Sequence, residues 1–288
     1  DEEVRFEFRT KKGSAFIHRS TYEGVIPSLA RRYRETGSDQ VRRWTIGDAL
    51  TALTNGGGYA EYCTVDARHC LPIPKGVALR DAASLPETFF TVWSNVFMGA
   101  RLAAGETLLV HGGAGGIGTT AIQLGKAFGA KVVATDSPEA RCRICRDLGA
   151  DRVIDYRQED YVEILRQEGG ANVILDIVGG PNIERNFKAA THDARIIQLA
   201  FALGSKVELN LMPVMLKRLT YTGSTLRTRS PAFKASIAQE LEARVWPLIE
   251  SGKIKPVVHA VFPLAEAAKA HALMESGAHL GKIVLTIA

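Results

Sequence analysis

His111-Gly-Gly-Ala-Gly-Gly-Ile-Gly118 closes the apolar run Thr107-Leu-Leu-Val-His111 and leads into Thr119-Thr-Ala-Ile-Gln-Leu-Gly-Lys-Ala-Phe128. The pattern is strand, glycine turn, helix. Within it, Gly113, Ala114, Gly115, Gly116, Ile117 and Gly118 have the spacing G-x-G-x-x-G. A lone copy of that spacing says little, but this one has the flanks its physics requires. The first glycine permits a tight turn and the second lets a pyrophosphate approach the backbone. The third lets helix and strand pack closely. The helix N-terminus adds unpaired N–H groups and the positive end of its dipole. Residues 113–118 are therefore read as a dinucleotide site.

The same alternation continues outward. Strands are predicted at 107–111, 131–135, 152–154, 172–178, 194–200 and 219–223, and helices at 116–128, 138–148, 161–168, 183–190 and 234–251. Near-continuous apolar strands between helices mean a parallel sheet covered on both faces. The fold class is α/β, a doubly wound six-strand Rossmann domain over residues 87–250. Before it, 4–8 and 59–65 alternate as strands. Thr54-Asn-Gly-Gly-Gly58 is a turn cluster, and Leu71-Pro-Ile-Pro-Lys-Gly76 is an extended link. Helices are predicted at 79–85 and 87–97. The end of the chain, 257–262, 264–276 and 282–287, reads as a strand–helix–strand coda that packs on the N-terminal region. A second, smaller and mostly β domain is thus assigned to 1–86 with 251–288.

The 288 residues are 46% hydrophobic and 23% charged, with a formal charge of +5, an ordinary globular balance. The basic run Arg31-Arg32-Tyr33-Arg34 with Arg42-Arg43 reads as a solvated face rather than a nucleic-acid surface, and an anionic cofactor would be drawn to such a field. No apolar run is long enough for a membrane span, and Asp1-Glu-Glu-Val-Arg-Phe-Glu-Phe-Arg-Thr10 is not a signal peptide. Four cysteines do not make a disulfide framework in a chain of this length. Cys142-x-x-Cys145 lies on a predicted helix without the context of a redox or zinc pair. The expectation is a cytoplasmic protein without a membrane or nucleic acid as its main partner.

Gly47-Asp48, Gly56-Gly-Gly-Tyr-Ala-Glu-Tyr62, Ala83-Ser-Leu-Pro-Glu-Thr-Phe-Phe-Thr-Val-Trp93, the glycine motif, Leu175-Asp176, Gly223-Ser-Thr-Leu-Arg227 and Gly281-Lys-Ile-Val284 together resemble one family. It is the zinc-independent medium-chain dehydrogenase/reductases, in their quinone oxidoreductase or zeta-crystallin branch. The resemblance runs from about residue 41 to the C-terminus. It implies a GroES-like fold for the smaller domain, shortened at its N-terminal end relative to the family. It implies hydride transfer from NADP(H) to a small quinone or enone without a metal, and a homodimer. Thr91 falls where the family contacts the nicotinamide; otherwise it is an ordinary helix threonine. In His18-Arg-Ser-Thr-Tyr22, Tyr22 matches a substrate-site tyrosine able to donate to a quinone carbonyl, or is simply a packed tyrosine. Phe201 and Ala202 follow the strand under the nicotinamide, and Ser224, Thr225 and Leu226 close over the cofactor.

The choice of nucleotide turns on the end of the second strand. Asp136 stands 18 residues after Gly118, where an acidic residue bonds the ribose 2′-OH of NAD and repels the 2′-phosphate of NADP. Family members that use NADP carry Ala-Gly-Ser there and a lysine shortly after. Here Ser137 and Arg141 are available to a phosphate, Arg141 bidentately, and Tyr156 matches a family tyrosine at that phosphate. NADP(H) is expected on the resemblance, with NAD(H) the alternative that Asp136 suggests. Two other functions share these features: a cofactor-binding protein without enzymatic activity, crystallin-like or RNA-binding, and an enoyl reductase.

Overall fold

The polar residues that end the strands of the parallel sheet, and the apolar ones that precede them, organise one of the two units of this protein. In the computed structural model the described residues are 43–44 and 47–287, with the backbone of four strands before them, Arg5–Arg9, Ser14–Ile17, Tyr22–Val25 and Ala30–Arg31. Contacts divide the chain into two units, Thr91–Leu226 on the one hand and Asp1–Phe90 with Arg227–Ala288 on the other.

Unit Thr91–Leu226 is the doubly wound domain. Its strands are β1 (Thr107–His111), β2 (Lys131–Asp136), β3 (Arg152–Asp155), β4 (Ala171–Asp176), β5 (Ala190–Gln198) and β6 (Thr220–Gly223). They form one sheet in the order β3-β2-β1-β4-β5-β6, and every pairing is parallel. Between them run α1 (Gly116–Ala127), α2 (Glu139–Asp147), α3 (Tyr161–Gln167), α4 (Asn182–Ala189) and α5 (Met212–Leu216). Leu108, Leu109, Val110, Val132, Val133, Val173, Ile174, Leu175 and Ile196 are buried completely, which is why these strands read as unbroken apolar runs. The order reverses between β1 and β4, and ligands of such sheets bind at the carboxyl ends of the strands beside that reversal. His111, Asp136, Asp176, Gln198 and Gly223 end their strands at this edge.

Two local structures differ from the sequence reading. The helix expected over 87–97 is α-helical only over Leu85–Val92 and then widens into a π-helix over Trp93–Gly99. The Ala100 N–H donates to the Asn95 carbonyl, and the Asn95 amide and Ser94 hydroxyl both donate back to the Thr91 carbonyl. The short α5 was not expected at all. Proline in its first turn suits a helix start, and it is too short to show a period.

The other unit is mostly β. Val258–Pro263, Lys282–Thr286, Ser14–Ile17 and Tyr22–Val25 make a four-stranded sheet in that order. The C-terminal coda therefore does pack on N-terminal strands, with Val284 opposite Phe16. Tyr62–Asp66 joins Arg5–Arg9 and Ala30–Arg31, and Leu50–Ala52 pairs with Cys70–Pro72. Glu87 and Lys282 form a buried ion pair of 2.7 Å between the helix Leu85–Val92 and the last strand. The helix expected over 234–251 is two helices, Pro231–Arg244 and Trp246–Glu250, because Pro247 has no N–H with which to continue the first. Both belong to this unit and not to the Rossmann unit, to which the boundary at 250/251 would assign them. His69 Nε2 donates to the Pro231 carbonyl at 3.0 Å, and Trp246 Nε1 to the Pro72 carbonyl at 2.7 Å.

Candidate functional site

The chain reverses after β1 at Gly112, whose φ of +69° only glycine adopts freely. The tight turn thus falls one residue before the motif. Gly112 and Gly113 both donate their N–H to the Thr135 carbonyl, at 2.9 and 3.1 Å. A Cβ on Gly113 would meet Cys145 Sγ at 2.6 Å, so its smallness serves packing. A Cβ on Gly118 would lie 2.2 Å from the Gly112 carbonyl oxygen, which excludes every other residue. A Cβ on Gly115 meets only the Gly112 oxygen, at 3.4 Å, so a side chain there would fill open space over the loop. Gly115 also precedes α1 without a capping side chain. Gly115, Gly116, Ile117 and Gly118 therefore bound an open cradle at a helix N-terminus, the arrangement a pyrophosphate needs.

The end of β2 is tied to this loop. Asp136 Oδ2 accepts the Ala114 N–H at 2.8 Å, and Oδ1 accepts the Ser137 N–H at 2.8 Å and Arg141 Nε at 2.6 Å. The aspartate is only 4% exposed. Its carbonyl accepts the Tyr156 N–H at 3.4 Å, and the Tyr156 ring stands exposed above. Ser137 Oγ is buried and has no hydrogen-bond partner, an unsatisfied polar atom of the kind a ligand hydroxyl or phosphate would satisfy. The structure thus brings Ala114, Asp136, Ser137, Arg141 and Tyr156 together. The sequence alone did not reveal that Asp136 grips the glycine loop.

Beyond β4 and β5 the loops are stitched to each other. Leu203 N–H donates to the Val178 carbonyl at 2.8 Å and Gly180 N–H to the Gly204 carbonyl at 2.9 Å. Gly179 and Gly180 have φ of +64° and +55°, and Phe201 and Leu203 press on them closely enough to exclude a Cβ. These two glycines belong to the site's frame and were not singled out from the sequence. Phe201 and Ala202 are exposed on this loop, and Ser224 N–H donates to the Gln198 carbonyl at 3.2 Å, ahead of Thr225 and Leu226. Thr91 is half-buried at the start of the π-helical stretch. Tyr22 begins a strand, and its side chain lies outside the described residues, as does most of the basic run 31–43.

His111 is buried at the end of β1. Asn186 must aim its amide N–H at the Asp176 carboxylate (2.9 Å), so its oxygen faces His111 Nε2, which donates at 2.8 Å. His111 Nδ1 then accepts the Thr135 hydroxyl at 2.8 Å. Burial holds the imidazole below its ordinary pKa, and the Asp176 carboxylate opposes this only in part. Cys142 and Cys145 are buried on α2, and burial pushes the Cys145 thiol up to about 12, so neither is a poised nucleophile. Among the described residues no three His, Cys, Asp or Glu side chains gather as a metal site, and no helix is long and apolar enough to cross a membrane.

Comparison with known proteins agrees with this geometry. A family profile described as zinc-binding dehydrogenase matches residues 148–285. A second, described as the UvrA DNA-binding domain, matches residues 1–46, where side chains are described only for residues 43 and 44. The chain is 28% identical to a quinone oxidoreductase of Mus musculus over 260 residues, covering 88% of this chain and 77% of that one. It is 30% identical over 274 residues to a mycocerosic acid synthase-like polyketide synthase of Mycobacterium tuberculosis, covering 93% of this chain and 13% of that far longer protein. The Escherichia coli quinone oxidoreductase, solved with NADPH, superposes with a TM-score of 0.81 at 24% identity, covering 98% of this chain and 91% of that one.

Gly118→Ala must push α1 away from the turn. Titration of the variant with NADH and NADPH is expected to show binding of both weakened by on the order of tenfold or more, equivalent to about 1.4 kcal/mol. His111 gives a pH dependence. Above its ordinary value of 6.5 neither the folded nor the unfolded chain carries a proton there. Below it the unfolded chain takes up a proton that the folded imidazole resists, so stability falls as pH falls, until the folded pKa is passed. Thermal melts are expected to show a decline starting below pH 6.5 that His111→Gln reduces, the remainder coming from His69, whose imidazole burial also holds low. The loss from Asp151 and Glu106, whose carboxyls are held low by Lys126 and Arg195, comes only at more acidic pH.

Proposed function

We infer that this chain, which belongs to the medium-chain dehydrogenase/reductase family, is an NAD(P)H-dependent oxidoreductase that reduces quinones or related activated carbonyl or alkene compounds without a metal. The observation that carries the reading is the open glycine cradle at the N-terminus of α1, gripped by the buried Asp136 carboxylate. A bound nicotinamide supplies the hydride. The chain's own residues bind and orient. Residues 113–118 hold the pyrophosphate, with the N–H groups of the first turn of α1 directed at it. Thr91, Phe201, Ala202, Ser224, Thr225 and Leu226 surround the nicotinamide end, and the family resemblance supplies Tyr22 as the donor to the acceptor's oxygen, where negative charge gathers. The mostly β unit is the GroES-like substrate domain. The donor set among the described residues does not fit a zinc ion, so no step is assigned to one. All four cysteines are unpaired, which supports a reducing compartment such as the cytoplasm.

The coenzyme is NADH in preference to NADPH. Asp136 would accept from the ribose 2′-OH, with the unsatisfied Ser137 hydroxyl beside it. A 2′-phosphate would face that carboxylate while Arg141 is engaged by it at 2.6 Å. This departs from the NADP(H) that the family resemblance suggests and from the NADPH bound by the Escherichia coli relative.

We further propose that a second copy of the chain covers the β6 edge. Every residue of β6 is exposed, and an uncovered edge strand is a template for pairing. Beside it Leu211, Met212, Met215 and Leu216 are each more than half exposed. The two residues after this apolar patch tie it to α4 and β5. Lys217 Nζ donates to the carbonyls of Phe187, Lys188 and Ala190, and Arg218 pairs with Asp193.

Oxidation of NADH by a small quinone, unaffected by a zinc chelator, is expected in a spectrophotometric assay. Absence of turnover with any quinone and either nucleotide would sink the reading. An enoyl thioester tests the alternative raised by the polyketide synthase match. Asp136→Ser is expected to move the NADPH/NADH ratio of kcat/KM upward by on the order of tenfold or more as Arg141 is released. Sedimentation is expected to give a dimer that Met215→Glu converts to monomer.

A further inference from the structure

We propose that His111, Asn186 and Asp176 are positioning residues, the centre of a buried polar belt that fixes the pyrophosphate loop and the nicotinamide-side loops in one frame. The belt crosses five of the six strands at their carboxyl ends. Thr135 on β2 donates to His111 on β1. His111 donates to Asn186 on α4, which donates to Asp176 on β4. Gln198 on β5 donates to the Asp176 carbonyl at 3.2 Å, and Tyr221 on β6 donates to Gln198 Oε1 at 2.9 Å. Tyr161 on α3 is a second donor to Asn186 Oδ1, at 3.0 Å.

Only one hydrogen-bond pattern satisfies these groups. Asp176 only accepts, so Asn186 turns its amide to it. His111 must then carry its proton on Nε2, and Thr135 must give its hydroxyl proton to Nδ1. A buried network of this kind is rigid when complete and costly when any member is lost.

Three members, Thr135, Asp176 and Gln198, also hold backbone of the site, and His111 and Asn186 link the first two of them. The Thr135 carbonyl accepts the N–H groups of Gly112 and Gly113, ahead of the cradle. Asp176 Oδ1 accepts those of Val178 and Gly179, at 2.6 and 3.1 Å. Gln198 Nε2 reaches the Ala200 carbonyl at 2.6 Å, one residue before Phe201, and the Gln198 carbonyl takes the Ser224 N–H. None of the three central residues lies in the G-x-G-x-x-G stretch or the nucleotide-selecting end of β2. They act on coenzyme only through the loops they hold. An apolar filling of the same space would keep the sheet together and would leave these loops without a common reference.

The inference rests on the coenzyme reading above, and the experiment separates the two. Dissociation constants for NADH, NADPH and ADP-ribose are measured by fluorescence titration on wild type, Asn186→Leu, His111→Leu, His111→Gln, Thr135→Val and Val173→Ala. All are measured well below their melting temperatures. ADP-ribose, which lacks the nicotinamide, reports the cradle and the adenosine end. Asn186→Leu and His111→Leu are expected to weaken ADP-ribose and both coenzymes alike by about tenfold. His111→Gln keeps a donor toward Asn186 and is expected to stay within about threefold of wild type. Val173→Ala, in the middle of β4 and outside the belt, is expected to lose stability with no change in binding. Where the leucine variants do not fold, the near-isosteric Thr135→Val decides, with the same direction expected. Belt variants that fold and bind as wild type does would overturn the inference and leave the oxidoreductase reading intact. So would an equal loss of binding in Val173→Ala. Wild type that binds none of the three ligands would overturn the coenzyme reading, and the inference with it.

Discussion

The approach of α1 to the turn after β1 leaves no room for a side chain, and the site follows from that contact. With a Cβ on Gly118 placed 2.2 Å from the Gly112 oxygen, the helix can start only where it does, with its first turn facing the end of the sheet. Gly125, about two turns further along the same face, repeats the constraint. A Cβ there would meet Val132 at 2.8 Å and Leu108 at 3.1 Å, so α1 lies close against β1 and β2 at both points. A helix held this close has a fixed N-terminus, and a fixed N-terminus is what makes its dipole and N–H groups useful to a phosphate.

Two buried carboxylates then divide the edge of the sheet between them. Asp136 ends β2 and grips Ala114 and Ser137. Asp176 ends β4 and grips Val178 and Gly179. Each accepts two backbone N–H groups, and each has a further partner, Arg141 in one case and Asn186 in the other. The difference between those partners matters. Arg141 neutralises Asp136 and is partly exposed, so its end of the site can respond to the charge of a ligand. Asn186 is neutral and buried, so the end at Asp176 is built for geometry alone.

The doubly wound domain was legible because its signals are local and repeated. Leu108-Leu-Val110, Val132-Val-Ala134 and Val173-Ile-Leu175 are apolar in sequence for the same reason that they are buried in space. The tight turn between β1 and α1 was legible because three glycines at this spacing, set between a strand and a helix, suit a close helix–strand approach. What could not be read depends on side chains meeting from distant segments. His111 stands 75 residues from Asn186, and nothing in either neighbourhood marks the pair. The π-helical turn after Val92 and the break at Val245 are short-range events, but they alter a helix that periodicity describes as continuous. The assignment of Pro231–Arg244 to the β-rich unit rests on contacts with His69, which its own amphipathic pattern does not specify.

This asymmetry bears on how Asp136 is understood. In the proposed function it selects the nucleotide. By its contacts it is also part of the glycine loop, because it holds the Ala114 N–H. On that proposal, selection and positioning share one carboxylate. At the other end, the positioning carried by Asp176 is separate from any contact with the ligand. A change at β2 alters two properties together, whereas a change in the buried belt alters only the frame. Replacement of Asp136 removes the acceptor of the Ala114 N–H, so a change of nucleotide made there also loosens the glycine loop.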